Sequence, residues 1–303
     1  MPYKGKGLKL MKKIDVHVHT SMWSGTEFNT MCHLITPEEI RETYKKLNIE
    51  KGFLLPLVSP ECRMYFQSNE EAQYLAKKHS DIFYWFCNID PRMCKNSAST
   101  DFSEILMKYK NLGAIGVGEM TANLYVDEPM MENLFYHCAE TDMPVTIHIA
   151  AEKYNNYGIV DDIGLPRLEK MLKKYPRLKI VGHSLCFWSE ISDDVTSENR
   201  GSWGVGKANG GRIAELLRNY PNLYCDLSAG SGFSALNRDR DYAYRFIEEF
   251  SDRLMYGTDL CRVNQETYLS DWLCDAYEKG NITKENYAKI CRENAIKLFN
   301  LNI

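Results

Sequence analysis

The chain has no apolar run approaching membrane-spanning length, no Cys-x-x-Cys pair, no excess of basic residues and no histidine beyond His183. Each absence closes a class of function. A spanning helix needs about 20 consecutive apolar residues. The basic opening MPYKGKGLKLMKK is not followed by a signal-peptide core, so the expectation is a cytoplasmic protein with no membrane partner. The ten cysteines are scattered through 303 residues, which argues against a disulfide framework or a thiolate metal site. Cys225 and Cys261, near strand ends, are read as packing residues. With 37 basic against 41 acidic residues and a net charge of −4, no nucleic-acid partner is expected and a small-molecule substrate is favoured. A homo-oligomer is left open. The segment Gly182-His183-Ser184-Leu185-Cys186 comes one glycine short of a serine-hydrolase elbow. In that fold the triad histidine follows the serine, and here none does.

What the sequence has is alternation. Eight short β-branched or aromatic runs are bounded by turn residues: KIDVHVH from Lys13, GFLLPLV at 52–58, IFYWFCNI at 82–89, AIGVGEM at 114–120, PVTIHIA at 144–150, LKIVGHS at 178–184, NLYCDLS at 222–228 and RLMYGTD at 253–259. Between them lie helix-period segments such as TPEEIRETYKKLN, NEEAQYLAKKH, PMMENLFYHCAETD, LPRLEKMLKKYP and GRIAELLRNYP, several opened by the Thr, Asn or Pro that starts helices. Units of about 30 residues repeated eight times predict a (β/α)8 TIM barrel, with a doubly wound sheet as the rival. No linker divides the chain, so residues 1–303 are expected to form a single domain ending in a helix from TKENYAKICRENAIKLFNL. The stretch 185–211, with Trp188, Trp203 and several glycines, is expected to be a long binding loop or lid. GVGKANGG within it has neither dinucleotide nor P-loop spacing. Glycines 230 and 232 are noted as places where backbone could approach a ligand.

The chemistry sits at the ends of the runs. In KIDVHVHT, alternation puts Asp15, His17 and His19 on one face and Ile14, Val16 and Val18 on the other, with the imidazoles roughly 7 Å apart along the backbone. Buried polar groups there need a partner. Glu119 closes GVGE, His148 closes PVTIH, His183 closes KIVGH and Asp259 closes MYGTD. A barrel brings such strand ends to one mouth. Six donors exceed the three that a catalytic zinc takes, so two ions are expected. His17, His19 and Asp259 would hold one, His148 and His183 the other, and Glu119 would bridge. The nitrogen and oxygen donors suit zinc first, with manganese, iron, cobalt or nickel as alternatives. Arg63, Lys153, Trp188, Asp226 and Arg262 lie near βα loops as candidate substrate contacts, against the reading of a solvated charge or local salt bridge. His33, His79 and His137 are read as surface or packing residues.

His-x-His on the first run, a carboxylate on the fourth, histidines on the fifth and sixth and Thr-Asp on the eighth resemble the amidohydrolase superfamily over nearly the whole chain. LPRLEKMLKKYPRLKIVGHS and KICRENAIKLFNL resemble its amidohydrolase-related (amidohydrolase 2) branch, and GVGEM followed by PVTIH resembles TatD-like hydrolases. Glu119 stands where many members carry a carboxylated lysine. The resemblance implies that Asp259 is both ligand and proton carrier. It also implies a hydrolase that uses metal-activated water on a lactone, amide or ester, with His183 as a ligand or charge stabiliser. Similarity to aminocarboxymuconate semialdehyde decarboxylase implies an alternative, a one-metal lyase with His183 as acid/base. A TatD-like nuclease ranks third.

Overall fold

A computed structural model describes residues 11–22, 34–61 and 66–303. Its strands are β1 (Lys13–Val18), β2 (Ile49–Leu54), β3 (Phe83–Cys87), β4 (Ala114–Met120), β5 (Val145–Ala150), β6 (Ile159–Val160), β7 (Ile180–His183), β8 (Leu223–Asp226) and β9 (Leu254–Met255). Helices α1 (Pro37–Leu47), α2 (Asn69–Lys78), α3 (Ser103–Asn111), α4 (Pro129–Glu140), α5 (Pro166–Lys174), α6 (Leu185–Trp188) and α7 (Arg212–Asn219) alternate with them. After β8 come α8 (Ala229–Asn237) and α9 (Arg240–Phe250), and after β9 come α10 (Tyr268–Glu278), α11 (Lys284–Ala288) and α12 (Asn294–Phe299).

Strands β1-β2-β3-β4-β5-β7-β8-β9 pair in parallel in that order, and the two-residue β6 pairs only with β5. The ring closes through backbone beyond β9. Val16 N–H donates to Tyr256 O (3.1 Å), Asp259 N–H to His17 O (2.9 Å) and His19 N–H to Leu260 O (3.0 Å). The eight-stranded TIM barrel read from the sequence is therefore the fold, and the doubly wound sheet is not.

Local signals explain the joins. Thr36 accepts from Glu39 N–H while the Glu39 carboxylate accepts from Thr36 N–H, a reciprocal cap that starts α1. Asn48, at φ 57°, ends α1 in the left-handed conformation that asparagine tolerates, so β2 begins at the next residue.

Two apolar layers result. Ile14, Val16, Phe53, Leu55, Phe86, Val181 and Met255 fill the barrel interior, and Ala295, Leu298 and Phe299 of α12 close its lower end. Phe299 packs its ring 5.0 Å from that of Phe53. The larger cluster lies between the strands and the outer helices. The expected C-terminal helix is interrupted by a π-helical segment, Lys289–Glu293. Ile290 O within it accepts from Tyr256 N–H (2.9 Å), tying the helix to the segment that closes the barrel.

The alternation expected for KIDVHVHT is broken. Asp15 pairs with Gly52 but Val18 with Leu54, so β1 carries one extra residue between them. A bulge of this kind re-aims the side chains beyond it. Ile14 and Val16 face the interior. Asp15 points the other way, accepting from Tyr44 Oη of α1 (2.9 Å) and from Thr258 Oγ1 (2.6 Å). Asp15 thus does not share a face with the histidines, and it stitches β1 to the closing segment instead. The stretch 185–211 also departs from a plain loop. It opens with α6 and a 3-10 turn, Ser189–Ile191, and Arg200 anchors it by donating to Asp161 O (2.6 Å) and Asp162 O (3.1 Å).

Candidate metal centre

The extra residue in β1 turns His17 and His19 into the barrel mouth, where their Nε2 atoms lie 3.0 Å apart. The outer nitrogen of each ring is held: His19 Nδ1 lies 2.9 Å from Leu55 O, and His17 Nδ1 lies 2.7 Å from Asp226 Oδ2. Glu119 reaches the same point from β4, with Oε2 3.5 Å from His19 Nε2 and 3.8 Å from His17 Nε2. Asp259 completes the group, with Oδ1 3.5 and 3.7 Å from the same two nitrogens. Donors about 2.1 Å from a tetrahedral ion stand about 3.4 Å from one another. The distances of the two imidazole nitrogens from each other and from the two carboxylates, 3.0 to 3.8 Å, bracket that spacing, all four donors are nitrogen or oxygen, and three of the four side chains are nearly fully buried. The residues fit a divalent ion.

A second triad adjoins the first. Glu119 Oε1 accepts from His148 Nδ1 (2.5 Å) and stands 3.8 Å from His183 Nε2, which is 4.0 Å from Asp259 Oδ2. His17, His19 and Asp259 form one candidate group, Glu119, His148 and His183 a second, and His17, His183 and Asp226 a third. Glu119 Oε1 and His148 Nδ1 are in direct hydrogen bond, closer than two ligands of one ion stand.

Burial works against charge on Glu119, but His148, His17 and His19 outweigh it and hold the carboxylate well below the usual range. Burial likewise opposes charge on His17. The Asp226 hydrogen bond, the nearby Asp259 charge and Glu119 override it, raising His17 well above 6.5. Burial lowers His148 despite Glu119 beside it.

Glu119 is placed by its surroundings. Asn88 Nδ2 donates to Glu119 O (2.7 Å) and to Pro56 O (2.8 Å). Gly118, at φ +140°, packs so closely that a Cβ there would meet Thr146 O at 2.6 Å, so only glycine suits the position.

Other expected residues are placed differently. Arg63 and His33 lie outside the described residues. Lys153 pairs with Glu128 Oε2 (3.1 Å) and lies over the Tyr125 ring, away from the donors. Trp188 is buried and donates from Nε1 to Asp226 O (2.8 Å), a strut beneath the site. Arg262 is exposed. Asp226 is no solvated charge: it is fully buried between His17 and His183. Ser184 has the positive φ of an elbow, 110°, but its Oγ is engaged with Ile149 N–H, Ile149 O and Phe187 N–H. Gly230 admits the Trp203 indole, 2.8 Å from where a Cβ would stand, in place of a ligand. His137 packs in α4 against Ser103 Oγ (2.9 Å), and His79 ends α2. Among the described residues no helix is long and apolar enough to cross a membrane.

A cavity of about 320 Å³ opens above the second triad, lined by His148, His183, Asp259, Tyr157 and Trp203 among others. No lysine or arginine is among its described lining residues.

The amidohydrolase family model (Amidohydro_2) matches residues 14–301. The chain belongs to the amidohydrolase family. Solved structures similar to this amidohydrolase barrel include a dihydroxybenzoic acid decarboxylase from Polaromonas sp. JS666 with bound manganese and an inhibitor (18% identity, 97% of this chain and 98% of that one, TM-score 0.60). A probable 2-pyrone-4,6-dicarboxylic acid hydrolase from Acinetobacter baumannii (15%, 96% and 100%, 0.57) and a zinc-bound amidohydrolase from Burkholderia multivorans (12%, 96% and 100%, 0.62) share the fold. No curated protein matches. The amidohydrolase donors described above lie where the βα loops of such a barrel place active sites.

Proposed function

We propose that this amidohydrolase is a metal-dependent hydrolase of small uncharged substrates, a lactone, ester or amide. The observation that carries the reading is Asp259. Its Oδ1 belongs to the four-donor cage, its Oδ2 faces His183, and at 27% side-chain exposure it is the one cage carboxylate open to the cavity. A divalent ion in the cage, zinc or manganese as in the two metal-bound relatives, supplies Lewis acidity and activates water. Asp259 takes the proton of the attacking water and returns it to the leaving group. His183 Nε2, 4.0 Å from Asp259 Oδ2, stands beside it as a candidate ligand for a second ion. Lack of a cationic side chain among the described lining residues favours uncharged substrates and weighs against a nucleic-acid strand.

A second ion would have to open the Glu119–His148 hydrogen bond. That same bond favours a second reading, a one-metal decarboxylase in which His183 serves as acid/base. The test starts from metal-free protein titrated with zinc or manganese, with metal counted per chain. Hydrolysis of uncharged lactones, esters and amides is followed alongside carbon dioxide release from dihydroxybenzoates. Metal-restored hydrolysis is expected. Carbon dioxide release without hydrolysis would replace the first reading with the second.

A further inference from the structure

We propose that Asp226 is a positioning residue that sets the tautomers of His17 and His183 together, one imidazole from each triad, so that both present a bare Nε2 to the centre. The inference goes beyond the hydrolase reading and does not depend on it. One carboxylate oxygen carries the whole arrangement. Oδ2 stands 2.7 Å from His17 Nδ1 and 3.2 Å from His183 Nδ1, and it accepts from Ser228 Oγ (2.8 Å). The other oxygen accepts from Ser228 N–H (2.8 Å). A carboxylate only accepts, so both imidazoles must place their hydrogen on Nδ1. Such partners fix ring orientation and ligand basicity in metal sites.

The carboxylate is held on every side. Trp188 Nε1 donates to Asp226 O (2.8 Å), and Gly257 leaves room where a Cβ would come within 2.7 Å of Oδ1. Ser228 Oγ also lies 3.1 Å from His183 Nδ1. His19 provides an internal control, because its outer nitrogen rests on Leu55 O and makes no contact with Asp226.

Asparagine at 226 cannot satisfy this set. Its amide N–H₂ must face either Ser228 N–H or the Nδ1–H groups, so one arrangement breaks or the rings reverse. The test is nitrogen NMR of the full chain with ¹⁵N-histidine, zinc-loaded, for the native protein and Asp226→Asn at saturating zinc, together with zinc affinity. In the native protein, Nδ1–H is expected on His17 and His183. In Asp226→Asn the signals of both change together while His19 keeps its own, and zinc affinity falls roughly 10- to 100-fold. Unchanged His17 and His183 signals overturn the proposal, as does a change in all three histidines, the mark of general loosening. Should Asp226→Asn not fold, two measurements remain decisive. Nε2–H on either ring in the zinc-loaded native protein overturns the proposal. Ser228→Ala, which keeps the carboxylate, must leave both tautomers in place, and reversal of either overturns it.

Discussion

Asp259 and His17 are joined twice: the Asp259 amide donates to His17 O at 2.9 Å, and Asp259 Oδ1 stands 3.7 Å from His17 Nε2. The first contact closes the barrel between its first and last strands. The second brings the last strand's carboxylate to the first strand's imidazole. Closure and cage are one event, although 242 residues separate the two positions in the sequence.

Because the backbone contact survives a side-chain change, Asp259→Asn should fold and lose catalysis. An amide cannot take a proton from water, so kcat is expected to fall about 10²- to 10⁴-fold. Thermal unfolding of the metal-free protein should be nearly unchanged. A variant with native kcat would remove Asp259 from the mechanism.

His17, raised well above its ordinary pKa in the metal-free protein, holds a proton that an ion must displace. Affinity for zinc should therefore strengthen as pH rises towards that raised value and weaken as pH falls. Calorimetry in buffers of different ionisation enthalpy should show proton release near neutral pH. Binding with no proton release would count against the His17–Asp226 pairing.

Burial pushes Asp15 up to about 6, although bonds from Thr258, the His17 amide and Tyr44 pull it down. Its folded pKa exceeds its ordinary 3.8, so the fold binds the proton more tightly than the unfolded chain. That contribution is complete below about 3.8 and is lost as pH rises through about 6. Tyr44→Phe removes a donor that favours the charged form, so the cost, roughly 1–3 kcal/mol, should be larger at pH 8 than at pH 5. Denaturant melts at the two pH values check this. An equal loss at both would show that the hydroxyl does not serve the carboxylate.

Tyr157 packs its ring 4.6 Å from that of His148, and Trp203 is 55% exposed at the same cavity. Tyr157→Leu and Trp203→Leu should weaken KM for flat conjugated lactones or esters several-fold more than for saturated ones, since stacking contributes about 0.5–1.5 kcal/mol. Equal effects on both substrate types would remove these rings from selectivity.

Much of this was legible in the sequence because the donors close apolar runs. GVGE, PVTIH, KIVGH and MYGTD all end on a side chain that the barrel carries to its mouth. NLYCD ends the same way, and the pattern that marked Asp259 marks Asp226 as well. Its role was hidden because a residue behind an imidazole leaves no spacing of its own. Backbone acceptors such as Leu55 O and the support from Asn88 have no sequence signature. Helices in the second half were legible where amphipathic periods ran long, whereas the π-helical segment at 289–293, which is bonded to Tyr256 through Ile290 O, has no period of its own in the sequence. The facing of Asp15 was misread because a strand's alternation holds only while its register does.

That irregularity in β1 has a consequence for the site's underside. Val16 and His17, neighbours in sequence, both look into the lumen: Val16 into the apolar layer it shares with Leu55, Val181 and Met255, His17 into the donor cluster. Without that extra residue, strict alternation would turn His17 to the face opposite Val16 and take it out of the cluster.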